Sequence, residues 1–198
     1  MSARRPAAFL DRDGVLNELV VDPRDGHGES PLRISDVRLT AGAAKAAGAL
    51  RVAGFVLVCV TNQPGAAKGQ ATVATLMAIQ RRVGELLAQQ GVQLDAWRMC
   101  MHHPEGVVSE LSGRCECRKP APGMLLDAAR TLELDLTRSW MIGDTDADVA
   151  AGRAAGCRTA LVENPASAHK RPYGEGWDVR AGDVQDAVAQ LLARRRSC

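Results

Sequence analysis

The sequence predicts an α/β fold in which one parallel sheet is covered by helices on both faces. Three observations carry that prediction. Short runs rich in β-branched residues alternate along the chain with alanine- and leucine-rich stretches of helical character. The runs at 7–10 and 55–60 are apolar throughout, as strands buried on both faces are, instead of alternating with polar residues. Glycines at 54, 91 and 156 each close a helical stretch.

Taken in order, Ala7 to Leu10 form the first strand, and a polar stretch over 17–39 follows. Thr40 is placed to cap a helix over Ala41 to Leu50, which Gly54 terminates. FVLVCV (55–60) is the second strand. Residues 72–90 read as a helix with Val73, Leu76, Met77, Val83, Leu86 and Leu87 on one face, closed by Gly91. A strand over 96–101 leads into a loop with glycines and cysteines, and Pro122 opens a helix that reaches about Leu132. SWMIGD (139–144) is strand then turn, Asp146 to Ala155 a short helix, and Thr159 to Val162 a further strand. Val184, Ala187, Val188, Leu191 and Leu192 mark a last amphipathic helix. Residues 17–39, 102–121 and 163–176 show no periodicity, and loops this long in a compact domain are usually functional.

At 198 residues the chain suits one domain, 1–198, that buries roughly 70% of its unfolded surface. A net charge of +2 and 3% aromatics argue against a nucleic-acid partner. The Arg194-Arg195-Arg196 run reads as a solvated helix end. No segment approaches the roughly 20 apolar residues of a membrane span, and the first apolar run stops too soon at Asp11 for a signal peptide. The expectation is a cytoplasmic monomer with no membrane partner. Six cysteines in a reducing compartment are then to be read for metal rather than disulfides.

Three strand ends concentrate chemistry. The first gives Asp11-Arg12-Asp13, the second Thr61-Asn62-Gln63, the third Gly143-Asp144-Thr145-Asp146-Ala147-Asp148. In a parallel sheet these ends share the carboxyl edge, where α/β folds hold their ligands. Alone, DRDG fits a polar turn as well as a reactive pair. Together with Asp144 and with Arg118-Lys119 before Pro120, it offers carboxylate oxygens for Mg²⁺ and cations for a phosphate.

Four motifs in order resemble those of the haloacid dehalogenase (HAD) superfamily of phosphatases: DRDGVLN (11–17), VCVTNQ (58–63), RKPAPGM (118–124) and MIGDTDAD (141–148). The resemblance implies a Rossmann-like HAD fold without a large cap domain and an Mg²⁺-dependent phosphatase. It implies Asp11 as nucleophile, forming an aspartyl-phosphate. Asp13 becomes the general acid and base, with neighbouring negative charge helping to keep it protonated for the first step. Thr61 and the Asn62 backbone N–H hold phosphoryl oxygens beside Gln63, and Lys119 stabilises their charge. Asp11, Asp144 and the carbonyl of Asp13 hold Mg²⁺, while Asp148 orients its neighbours.

The stretch CMHHPEGVVSELSGRCECRKP (100–120) supplies Cys100, His102, Cys115 and Cys117, a set suited to tetrahedral structural Zn²⁺, although its one-residue spacers are tighter than a usual knuckle. Nothing apolar in the loop would otherwise hold it, and zinc would fix the segment that presents Arg118 and Lys119. His103 is a loop residue, Cys59 and Cys157 are packing residues, and Cys198 has no role. The pattern resembles the D-glycero-D-manno-heptose-1,7-bisphosphate 7-phosphatases and related histidinol-phosphatase domains, which implies a small phosphorylated sugar as substrate. The heptose enzymes commonly carry lysine after the fourth-motif aspartate. Thr145 stands there in this chain and offers a hydrogen bond but no charge, which should weaken preference for a second phosphate unless Arg118, or Arg24 and Arg33 in the long loop, restores that charge. Histidinol phosphate or another small phosphorylated metabolite is the alternative substrate, and a non-catalytic zinc-stabilised binding module the alternative class.

Overall fold

The computed structural model describes residues 4–196, and side chains through Arg195; Cys198 lies outside the described residues. Six parallel strands form the sheet: β1 (Ala7–Leu10), β4 (Val56–Asn62), β5 (Ala96–Cys100), β6 (Trp140–Gly143), β7 (Arg158–Val162) and β8 (Val179–Ala181), in the order β5-β4-β1-β6-β7-β8. The chain builds outward from β1 through β4 and β5, then returns to β1's other side with β6. The crevice between β1 and β6 is therefore the switch point at which such sheets bind ligands.

Alternate residues of the central strands enter two cores, which is why those strands read as unbroken apolar runs. Ala8, Leu10, Leu57, Cys59 and Ile142 pack with α1 (Ala43–Val52), α2 (Val73–Gln89) and α5 (Val184–Arg196). Phe9, Val58, Val60 and Met141 pack on the other face with α3 (Gly123–Leu132) and α4 (Asp146–Ala154). Cys59 and Cys157 are buried packing residues.

Several boundaries differ from the sequence reading. Gly42, with φ of +76°, precedes α1 in place of Thr40, whose buried hydroxyl has no partner; an L side chain at 42 would collide with Gln185. On α2, Thr72 caps by accepting from Thr75 N, but Val73 and Met77 are exposed and Ile79 takes the buried place. β8 carries too few residues to show a period. The stretch 17–39 contains a small antiparallel hairpin, β2 (Val20–Val21) with β3 (Gly28–Glu29), and a 3₁₀ turn at Ile34–Asp36. Arg195 is more than a solvated helix end, since its guanidinium donates to Ala53 O and lies 4.7 Å over the Phe55 ring.

Candidate active site

The first motif leaves β1 beside β6, with Asp11 N donating to Ile142 O at 2.9 Å. The chain then turns on Gly14, whose φ of +88° suits glycine. A Cβ there would stand 2.2 Å from Asp144 Oδ2, so the absence of a side chain at 14 lets Asp144 sit directly against the turn. Asp11, Asp144 and Asp148 are buried, and each places one carboxylate oxygen within 4.8 Å of one from the other two.

One cation lies among these acids. Lys119 Nζ is 2.9 Å from Asp11 Oδ1 and 2.6 Å from Asp148 Oδ1, and donates to Val60 O at 2.8 Å. Burial favours the neutral amine, but Asp11 and Asp148 outweigh it and raise the Lys119 pKa. One ammonium does not balance the cluster. Burial and then Asp148 push Asp144 up to about 7, and burial with Asp148 raises Asp11 well above the carboxylate range despite Lys119. Both carboxylate oxygens of Asp144 are buried without a hydrogen-bond partner. Orphaned oxygens that repel a neighbouring carboxylate fit a hard divalent cation.

Asp13 is held in the opposite sense. Arg12 Nε and Nη2 reach its two oxygens at 3.1 Å each, and Asn17 Nδ2, Gln63 Nε2 and Ser30 Oγ also donate, at 2.9, 2.5 and 2.8 Å. Burial raises its pKa, but the Arg12 charge and these hydrogen bonds prevail and hold it below the usual range. This corrects the expectation that adjacent negative charge keeps Asp13 protonated. Arg12, fully buried and itself left with an orphan Nη1, was missed because an arginine between two aspartates reads as a surface charge.

At the end of β4, Thr61 Oγ1 accepts from Gln63 Nε2 at 2.8 Å. The Asn62 side chain pairs with the backbone of Lys119, donating to its O at 2.9 Å and accepting from its N at 3.0 Å. Thr145 donates from N and Oγ1 to Asp148 Oδ2, at 3.0 and 2.6 Å, so its hydroxyl proton is engaged. Asp148 thus orients both Thr145 and Lys119. The Lys119-Pro120 peptide is cis, which the sequence did not signal.

These groups line a cleft of about 690 Å³ that also receives Ser30, Lys68, Arg118 and Lys170. Arg24 and Arg33 are not among its lining residues. They pair locally and exposed, with Asp22 at 2.5 Å and Asp36 at 2.8 Å. Lys170 went unnoticed in the aperiodic stretch 163–176, and Lys68 in the connection between β4 and α2.

A second donor cluster lies beyond β5. Cys100, His102, Cys115 and Cys117 offer ligand atoms within 4.8 Å of one another, with Cys117 Sγ 3.0 Å from Cys100 Sγ and 3.6 Å from His102 Nδ1. Three sulfurs and one imidazole nitrogen are a donor set that fits zinc. Contrary to the sequence reading, the loop has other ties: Leu111 packs against the core, and Val107 N and Val108 N donate to Ala67 O. His103 is a loop residue, its backbone bonded to Leu111, Gly106 and Gly113. Arg118 Nη1 donates to His102 O at 3.2 Å, linking this cluster to the cleft.

Residues 116–190 match the HAD-hydrolase-like family. The D-glycero-beta-D-manno-heptose-1,7-bisphosphate 7-phosphatase of Rhodopseudomonas palustris is 42% identical over 153 residues, 77% of this chain and 81% of that protein. The crystal structure of D,D-heptose 1,7-bisphosphate phosphatase from B. bronchiseptica, complexed with magnesium and phosphate, superposes with a TM-score of 0.78 at 32% identity, covering 96% of this chain and 99% of that one. A HAD-like phosphatase structure from Mesorhizobium loti gives 0.81 at 34% identity, covering 99% and 88%. With that sequence identity across most of both chains, on a sheet that gathers its acids at the switch point, this chain belongs to the heptose-1,7-bisphosphate 7-phosphatase family of the HAD superfamily and is a phosphoric monoester hydrolase.

Proposed function

We propose that the chain removes the 7-phosphate from D-glycero-D-manno-heptose 1,7-bisphosphate through an aspartyl-phosphate at Asp11. The observation that carries this reading is the convergence of Asp11, Lys119 and the orphaned Asp144 carboxylate in one buried site, in a chain whose relatives carry that name. An Asp11 carboxylate oxygen attacks phosphorus as the bond to the sugar oxygen breaks, and Asp13 gives the leaving oxygen its proton. Asp13 then takes a proton from water, which attacks the same phosphorus, releasing inorganic phosphate and regenerating Asp11. Asp13 rests ionised by the Arg12 fork, so the proton arrives with substrate: an incoming phosphate adds negative charge beside Asp13 and raises its proton affinity.

Lys119, Thr61, Gln63 and the Asn62 N–H would hold the transferred group, with Arg118 and Thr145 at the substrate's edge. The side chains of Asp11 and Asp144 with the carbonyl of Asp13 would hold Mg²⁺. That ion, when bound, neutralises phosphate charge and favours ionised Asp11. Cys100, His102, Cys115 and Cys117 would hold a structural Zn²⁺ that fixes the segment before Lys119. In this reading the chain is a single domain acting as a cytoplasmic monomer; among the described residues no helix is long and apolar enough to cross a membrane.

Phosphate release by purified protein with Mg²⁺, compared as kcat/KM across heptose 1,7-bisphosphate, other sugar phosphates and histidinol phosphate, tests the reading. The bisphosphate is expected to lead. A higher value for histidinol phosphate would overturn the substrate, and no release from any of them would overturn the reaction.

A further inference from the structure

A bisphosphate brings a second anion that the reacting centre does not bind. Thr145 carries no charge, and its hydroxyl is held by Asp148. Lys119 is only 2% exposed and occupied by Asp11, Asp148 and Val60 O. Arg24 and Arg33 are held by neighbouring acids. The 3₁₀ helix Pro165–Lys170 that follows β7 supplies a different cation.

That helix is built onto the fourth motif. Ser167, buried, donates from Oγ to Asp144 O at 3.2 Å, and Arg171 Nη1 donates to the same oxygen at 2.9 Å. These bonds fix Lys170 relative to Asp144, and its charge is felt at that carboxylate. Its ammonium does not touch the acidic cluster. It lines the cleft, donating to Gly28 O at 2.8 Å and to Glu29 Oε2 at 3.0 Å. Glu29 belongs to the hairpin, and its side chain is 68% exposed against 32% for Lys170. An accessible carboxylate thus occupies an anion seat on a cation anchored to the active site. The 27–29 side of the contact is further settled by His27 stacking on His169 with centroids 3.9 Å apart, so Lys170 does not alone hold the hairpin.

Resting on the reading above, we infer that Lys170 is a specificity-determining residue that binds the phosphate not being transferred, with Glu29 as its counter-ion while the cleft is empty. Substrate binding exchanges one anion for another at the ammonium, and no bond to carbon or phosphorus changes there. Lys170 stands on the β6–β7 side of β1, whereas Lys68, Arg118 and Lys119, the other cations lining the cleft, come from the β4–β5 side.

This assignment gives the two partners opposite signs. A salt bridge that merely docked the hairpin would make Lys170→Met and Glu29→Gln alike, each loosening the same contact. A substrate-binding lysine makes Lys170→Met raise KM for heptose 1,7-bisphosphate, lowering its kcat/KM roughly tenfold more than that for heptose 7-phosphate. Glu29→Gln removes the competing anion and lowers the bisphosphate KM, by roughly threefold. The experiment measures both substrates on the full-length Mg²⁺- and Zn²⁺-loaded wild type, Lys170→Met, Glu29→Gln and Arg118→Met, with melting temperatures as a control on folding. Equal losses in Lys170→Met and Glu29→Gln would overturn the inference. So would a bisphosphate preference that survives in Lys170→Met and collapses in Arg118→Met. A wild type that cleaves neither heptose phosphate would instead overturn the functional reading and this inference with it.

Discussion

Two clusters of metal-suited side chains stand in one molecule, and they are held by different means. The carboxylates of Asp11, Asp144 and Asp148 come from strand ends and the helix start that follows β6, so sheet register sets their spacing whether or not an ion is present. The thiols and imidazole at 100, 102, 115 and 117 come from one strand end and a long loop, fixed by Leu111 and a few backbone bonds. Charge differs as well. The acidic cluster repels itself inside a low dielectric, while neutral thiols need no counter-charge until they ionise. The comparison teaches that an acidic cluster can be built by the core against its own electrostatics. A cluster carried on a loop depends far more on what it binds.

If that contrast is right, damage to the first cluster removes chemistry and spares the fold. Asp11→Asn should abolish turnover in rapid-quench assays, because an amide cannot become an acyl-phosphate, with near-unchanged circular dichroism. Substantial residual phosphatase activity would break the mechanism. Asp13→Asn should lose roughly 10²–10⁴-fold in kcat, the usual share of a general acid and base. Since Asp13 is held by many donors, its variant should also melt lower than Asp11→Asn does; the reverse order would contradict the description of that network.

The next effect is on stability and depends on pH. Asp144 is raised to about 7 in the folded chain, so between its ordinary value and that point the native state holds a proton that the unfolded state has lost. Metal-free protein should therefore lose stability, on the order of a few kcal/mol, as pH rises from about 4 to 7. Mg²⁺ should restore more at pH 8 than at pH 5, measured as melting temperature with and without chelator. An equal Mg²⁺ shift at both values would deny the ion this site. For the loop cluster the expected losses are smaller and local. Cys117→Ser should remove zinc by elemental analysis, speed amide exchange over 100–118 and cut kcat/KM roughly tenfold through Arg118, which is tied to His102 O, with the core exchange unchanged. Loss of core protection would show that the clusters are not independent. Smallest of all, Thr145→Val removes the hydroxyl bond to Asp148 and should cost about 1 kcal/mol in a denaturant titration.

The sheet and the four motifs were legible because both depend on local rules. Buried parallel strands are apolar throughout, and their polar ends must share one edge. The cysteine pairs were legible because few other roles place them so. What remained hidden depends on long-range pairing. Nothing near Arg12 in sequence says that it is buried beneath the site, and the electrostatic state of Asp13 follows from that burial. Lys170 is anchored at the cleft by long-range pairing, with Ser167 and Arg171 meeting the Asp144 carbonyl 23 and 27 residues away in sequence. Thr40 failed as a cap because Gly42, two residues on, can adopt a left-handed conformation that leaves α1 to begin at Ala43.

The pairing of the Asn62 amide with the backbone of Lys119 bridges 57 residues of chain by two reciprocal hydrogen bonds. It imitates one rung of a sheet ladder and sets where Lys119 falls irrespective of the path taken to reach it. The loop between β5 and Arg118 is then carried on a fixed mount, able to change its length or its stabilising device without moving the lysine. A chimera carrying a shorter, metal-free connection between β5 and Arg118 is accordingly expected to keep its reaction and change its substrate range, whereas Asn62→Ala would make the same graft fail.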